Sequence, residues 1–219
     1  MLWQEDDDEI QNYDNGEVVD IVYRIQGKTL PVDYSFALYQ AIQEHVPRVS
    51  ESNEVGIYLV TAGEEGNGWM RENNPDEIIY LSRRTRLVLR IPIAKLSIAQ
   101  ALVNKTLMLG EHALLLKSNE QQALSKITTL YARHVALDAE TEEDFLNEAL
   151  SELNDLDIRC KKMLCGKTRH LNNPDGPLKT RSLMLADLSP EDAIKLQQFG
   201  MGSYRHMGCG LFMPHKSLN

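Results

Sequence analysis

The sequence predicts an α+β chain of two tandem ferredoxin-like units, each ordered β-α-β-β-α-β. Two observations carry that reading. Strand-like apolar runs and helix-like periodic segments follow the same order in each half of the 219 residues, with a polar stretch at residues 118–122 between them. The composition, 42% hydrophobic and 25% charged, is that of an ordinary globular protein, and the length makes one large domain or two small ones without need of disulfide or metal staples. The expected layout is an acidic tail over residues 1–16, a first domain over 17–118 and a second over 123–219.

In the first half, Val18–Ile25 is rich in β-branched residues and reads as a strand. Gly27 and Pro31 punctuate a loop, and Asp33 is placed to cap a helix from Tyr34 to Val46, stopped by Pro47. Strands are expected at Val55–Thr61, Ile78–Ser82 and Arg86–Ile91, with a Gly- and Asn-rich loop between the first two. Ile93–Val103 reads as a short helix. Leu107–Leu109 and Ala113–Leu116 flank Gly110-Glu111 as a hairpin.

The second half opens with a strand, Ile127–Leu137. Thr141 and Asp144 have the spacing of a capping box, which starts a helix running to Leu153. Its apolar positions recur with a helical period, and its acids are expected to face water. Strands at Cys160–Leu164 and Arg181–Asp187 flank a long turn containing Asn173-Pro174-Asp175-Gly176-Pro177. Ser189 and Pro190 then open a helix that ends at Phe199, with Gly200 as its C-terminal cap, and Gly210–Met213 closes the chain as a strand.

The formal charge of −9 argues at first against a nucleic-acid partner. Its distribution reverses that. Eight acids lie in residues 1–20 and nine in residues 138–157, with no Lys or Arg in either block. The rest of the chain holds the other 15 acids against all 23 Lys and Arg, a formal +8. Three basic clusters stand out: Arg83, Arg84, Arg86 and Arg90; the hairpin set Arg159, Lys161, Lys162, Lys167, Arg169, His170, Lys179 and Arg181; and Arg205, His206 and Lys216 near the end. A hairpin with that charge can lie against RNA and contact phosphates. No apolar run approaches the roughly 20 residues of a membrane span. The acidic start is unlike a signal peptide, and Cys160, Cys165 and Cys209 form neither a disulfide framework nor a zinc spacing. A reducing cytoplasmic setting with no metal or cofactor is the expectation.

The segment Gly200-Met-Gly202-Ser-Tyr-Arg205-His206-Met-Gly208-Cys-Gly210-Leu-Phe212 carries the most information. Its glycines allow backbone N–H groups to cradle a phosphate, with Arg205 and His206 as added donors. They equally suit a helix cap followed by a tight turn. It is not a Walker loop, which opens a helix where this one follows one.

With Thr180–Asp192, Leu81–Leu87, Leu130–Arg133 and Met207–Lys216, this segment resembles the CRISPR RNA-processing endoribonucleases of the repeat-associated mysterious protein superfamily. The similarity is greatest to the type I-MYXAN subgroup, spans roughly residues 17–216 and leaves the acidic tail outside. The resemblance implies a metal-independent enzyme that binds CRISPR repeat RNA, often as a hairpin. The RNA's own 2′-hydroxyl attacks, leaving a 2′,3′-cyclic phosphate, and the enzyme stays with its product among other interference-complex subunits. A repeat-binding scaffold with weak catalysis is the alternative.

The resemblance also implies a catalytic His on the first helix, within a Leu-His-Gln motif in related families. Here the matching residues are Leu38-Tyr39-Gln40. The catalytic candidates are therefore His45, Tyr39 and Tyr34. A tyrosine is a poor base at neutral pH but can donate a proton, whereas an ordinary histidine titrates near neutrality. His206, at the loop tip, is an outsider to this set that could add help. The expected RNA-binding set is Arg83, Arg84, Arg86, Lys161, Lys162, Lys167, Arg169, Lys179, Arg181, Gly200, Gly202, Arg205, His206, Gly208 and Gly210.

Overall fold

The computed structural model describes residues 17–50, 53–60 and 78–215. The acidic tail, the Gly- and Asn-rich loop and Lys216 lie outside them. The first unit contains β1 (Val18–Gln26), β2 (Thr29–Pro31), α1 (Ser35–His45), β3 (Gly56–Val60), β4 (Ile78–Tyr80), β5 (Arg86–Pro92), α2 (Leu96–Leu102), β6 (Thr106–Leu109) and β7 (His112–Gln122). The second contains β8 (Leu130–Val135), α3 (Glu142–Asp155), β9 (Lys162–Leu171), β10 (Leu178–Ala186), α4 (Pro190–Phe199) and β11 (Met213–Pro214).

Both main sheets are antiparallel, ordered β3-β5-β1-β7-β6 and β11-β8-β10-β9. In each, the last strand of the repeat lies beside the first and the central hairpin lies on its other side. This is the ferredoxin-like order, with β6 added at one edge of the first sheet. Each unit buries its own core. Tyr23, Leu38, Ile42, Leu87 and Leu89 lie in the first, and Leu130, Phe145, Leu183, Leu196 and Phe212 in the second.

Several elements follow the sequence reading closely. Thr141 and Asp144 form the capping box of α3, with Asp144 N–H donating to Thr141 Oγ1 at 3.1 Å and Thr141 N–H to Asp144 at 3.2 Å. Ser189 caps α4 through Asp192 N–H at 3.0 Å, and Gly200 ends it with φ of 71°.

Other elements differ. Residues 118–122 are not a linker: they extend β7, pairing Asn119 to Gln122 with Tyr23 to Asp20 of β1. Backbone hydrogen bonding to β1 holds this polar end in the sheet although its side chains mostly face solvent. Ile78–Tyr80 does not enter the main sheet; it pairs with β2. The predicted turn between the second-domain strands shortens to residues 172–177, so β9 and β10 form a long hairpin with a register shift between Arg181 and Leu183. Asp33 does not cap α1. Tyr34 occupies the cap position without a side-chain cap bond.

Arg90 joins the two units. It is 1% exposed and pairs with Asp20 through two bonds of 2.8 Å. It also donates to the carbonyls of Phe212 at 2.7 Å and Gln197 at 3.3 Å in the second unit. Tyr58 completes the cluster by donating to Asp20 at 3.0 Å. Burial pulls the Arg90 pKa down, but the Asp20 charge and Tyr58 more than offset it, so the guanidinium stays charged. The alternation that sets Arg90 with Arg86 on one strand face holds, but near Arg90 that face is covered by the second domain.

Candidate nucleic-acid interface

The glycine-rich loop, residues 200–212, packs between its own domain and β3. It is a tightly folded structure rather than an open cradle. A Cβ on Gly210, at φ of 66°, would stand 1.9 Å from the Met201 carbonyl oxygen, and one on Gly200 would stand 2.5 Å from both Arg205 Nη1 and the Gly210 carbonyl oxygen. Only glycine fits either position.

The backbone N–H groups of the loop are largely committed internally. Gly202 N–H donates to Glu152 at 2.8 Å, Gly208 to the Arg205 carbonyl at 3.0 Å and Gly210 to the His134 carbonyl at 2.7 Å. Met201, Ser203, Met207 and Cys209 also donate to carbonyls. The anion nest expected from Gly200, Gly202, Gly208 and Gly210 is thus corrected: the glycines permit close packing, and their N–H groups hold the loop together.

Arg205 is corrected in the same way. It is 1% exposed and donates to the carbonyls of Gln198, at 3.0 Å, and Phe199. It therefore satisfies the carbonyl end of α4 from inside the loop instead of facing solvent. Burial and the nearby Arg90 charge pull its pKa down to about 10, which leaves it cationic at neutral pH.

What the loop presents is His206. Its ring lies against Tyr39 of α1, centroid to centroid 4.4 Å, with Tyr204 at 6.0 Å. Burial lowers the His206 pKa, favouring the neutral imidazole that a proton acceptor requires. Tyr39 thus meets the loop, as the Leu38-Tyr39-Gln40 motif suggests, but His45 does not. His45 is exposed at the far end of α1, its Nε2 3.3 Å from the Thr106 carbonyl on β6. Six residues of helix rise separate it from Tyr39 by about 9 Å.

Tyr34 lines a cleft between the domains. Its walls include Leu38 of α1, Tyr58 of β3, Arg133 and His134 of β8, and Gly208 of the loop. Arg133 and His134 have no role in the sequence reading, although two basic residues interrupting an apolar strand were the available signal. His134 is 9% exposed, and its Nδ1 lies 3.0 Å from Thr180 Oγ1. Burial, then the positive charges of Arg133 and Arg169, push its pKa down to about 3.

The basic hairpin divides into two groups. Lys161 and Lys167 are exposed, and Arg169 is half-buried. Lys162 pairs with Asp187 at 2.8 Å, Lys179 with Glu140 at 3.1 Å, and Arg181 approaches Glu142 at 3.9 Å while lying over the Phe145 ring. The acids of α3 mostly face water, as expected, yet Glu140 and Glu142 also pair with part of the hairpin and Glu152 anchors Gly202. Arg83 and Arg84 are exposed in a turn, and Arg86 donates to the carbonyls of Arg83 at 2.8 Å and Thr85 at 2.9 Å.

Two ferredoxin-like units with a glycine-rich loop seated against the first helix define the class of protein. The Cas6 family model, described as Cas6 Crispr, matches residues 19–217. A curated relative, the CRISPR-associated endonuclease Cas6 of Myxococcus xanthus, is 30% identical over 197 residues, covering 90% of this chain and 81% of the relative. The chain belongs to the Cas6 family.

Solved structures share the fold. A CRISPR-associated protein Cas6 gives a TM-score of 0.61 at 10% identity, covering 91% of this chain and all of that one. A Cas6-related protein from Pyrococcus furiosus gives 0.61 at 14%, covering 89% and 97%. No described helix is long and apolar enough to cross a membrane.

Proposed function

We propose that this protein is a metal-independent endoribonuclease that binds CRISPR repeat RNA and cuts the precursor transcript by attack of the RNA's own 2′-hydroxyl. Family membership supplies the substrate class. The observation that carries the site is the 4.4 Å approach of His206 to Tyr39, which joins the loop to the first helix beside the cleft lined by Tyr34 and Arg133.

In this reading neutral His206 accepts the proton of the 2′-hydroxyl as its oxygen bonds to phosphorus. The bond from phosphorus to the 5′ oxygen breaks, and that oxygen takes a proton from Tyr39. The products are a 2′,3′-cyclic phosphate and a 5′-hydroxyl. Arg133 stabilises the charge building on the phosphorane, while Lys161, Lys167, Arg169 and the Arg83–Arg84 turn hold the rest of the backbone. His45, distant from the loop, serves at most to bind. Retention of the product among interference-complex subunits follows from the family reading.

The test uses purified protein, a repeat RNA and EDTA, beside an RNA with 2′-deoxy at the scissile nucleotide. Cutting of the unmodified RNA alone, with a cyclic phosphate end, is the expected result. Binding of both RNAs without cutting either would establish the scaffold reading instead. Cutting of the 2′-deoxy RNA would refute 2′-hydroxyl attack.

A further inference from the structure

Asp33 immediately precedes Tyr34, which holds the cap position of α1, and its carboxylate makes its bond elsewhere. Its Oδ2 accepts the backbone N–H of Asn172 at 2.8 Å, 139 residues away, where the turn of the β9–β10 hairpin begins. Oδ1 is buried without a hydrogen-bond partner. A half-buried carboxylate that leaves its own helix N-terminus for another domain's backbone is costly to keep unless the connection matters.

The connection closes a triangle around the cleft. The residue after Asp33 is Tyr34, in the cleft wall, and α1 goes on to carry Tyr39 against His206 of the loop. The residue before Asn172 is Leu171, 4% exposed, which clusters with Cys209 of the loop and packs near Tyr204. Helix meets loop, loop meets hairpin, and the Asp33–Asn172 bond returns the hairpin to the helix.

We propose that Asp33 is a positioning residue. It fixes the turn of the basic hairpin to the start of α1, so that RNA held by hairpin cations presents its scissile phosphate to Tyr39 and His206. This rests on the endonuclease reading above. Burial raises the Asp33 pKa, with the Asn172 bond acting in opposition. The acceptor oxygen rather than the charge is what the geometry uses, and an asparagine can supply it.

The experiment compares full-length wild type, Asp33→Ala and Asp33→Asn in single-turnover cleavage, RNA affinity and amide hydrogen exchange. In Asp33→Ala the expected results are at least tenfold slower cleavage, affinity within threefold, and faster exchange of the Asn172 amide. In Asp33→Asn all three stay within threefold of wild type. Wild-type cleavage by Asp33→Ala despite accelerated exchange would overturn the positioning role. So would an Asp33→Asn as slow as the alanine variant, or an unchanged Asn172 amide in both. If Asp33→Ala does not fold, Asp33→Leu, which fills the same space without an acceptor, takes its place with the same expected and overturning results. A wild type that binds RNA without cutting refutes the cleavage reading and removes this role with it; the exchange data then separately report whether Asp33 holds the turn.

Discussion

The glycine-rich loop and the β9–β10 hairpin belong to the same domain and both carry sequence signals for touching RNA, yet they are built on opposite principles. The loop spends its backbone N–H groups, its glycines and even Arg205 on its own geometry and offers one ring, His206, at a fixed place. The hairpin belongs to the second sheet, and its cations differ mainly in whether an acid already neutralises them. A fixed single group suits chemistry, where misplacement by about 1 Å can cost a hundredfold. Distributed charge suits backbone binding, where no single cation dominates. Substitutions in the two regions should therefore fail differently.

The largest effect is expected at the loop. His206→Ala should slow single-turnover cleavage at least a hundredfold, the usual lower bound for losing a general base, with RNA affinity within threefold. His45→Ala should change the rate less than threefold. Equal effects from the two would erase the distinction between loop tip and helix end.

Next is the frame on which the loop sits. Arg90→Ala strips Asp20 of its guanidinium and frees the Phe212 carbonyl at the loop's end. Breaking one side of a buried pair costs about 3–5 kcal/mol. A denaturant titration should show that loss, and a change below about 1 kcal/mol would mean the interdomain cluster contributes little.

His134 gives a pH signature of the same frame. Its folded-state pKa of about 3 lies below histidine's ordinary value of about 6.5. Between those values the unfolded chain binds a proton that the folded chain does not, so stability falls as the solution is acidified through this window. The loss from pH 7 to pH 5 should reach about 2 kcal/mol. Burial pushes His206 in the same direction, so the comparison is with His134→Asn, which should lose measurably less over that range. Parallel stability curves for the two proteins would contradict a neutral, buried His134.

The element order and both second-domain helix caps were legible because they depend on local signals: periodicity, capping spacing and turn residues; the placement of Tyr39 near the loop followed from the family resemblance instead. Where reading failed, the determinant was mostly long-range. Nothing near Arg90 distinguishes a surface cation from one that binds carbonyls of the other domain, whereas Arg205 turns back onto the end of the helix just before its own loop. Asp33 has the look of a cap because its partner is 139 residues away. The polar residues 118–122 have the look of a linker because strand β1, which pairs with them, precedes them by about a hundred positions. Glycine spacing marks the loop correctly but cannot say whether its N–H groups face a ligand or one another.

The smallest effect, and the one that sharpens the comparison most, lies within the hairpin. Lys161 and Lys167 are exposed, whereas Lys179 and Arg181 already face Glu140 and Glu142. Replacing Lys161 and Lys167 together by Ala should weaken RNA binding about three- to tenfold at moderate salt. It should also lower the slope of log affinity against log salt by about 1–2, because a protein that neutralises fewer phosphates releases fewer counterions. Replacing Lys179 and Arg181 should change that slope by less than half as much, since their positive charge is partly cancelled before RNA arrives. Restoring it offers the stricter check. Glu140→Gln with Glu142→Gln should tighten binding and steepen the slope if the acidic block screens the hairpin, and an unchanged slope would show that these pairs lie outside the RNA's reach.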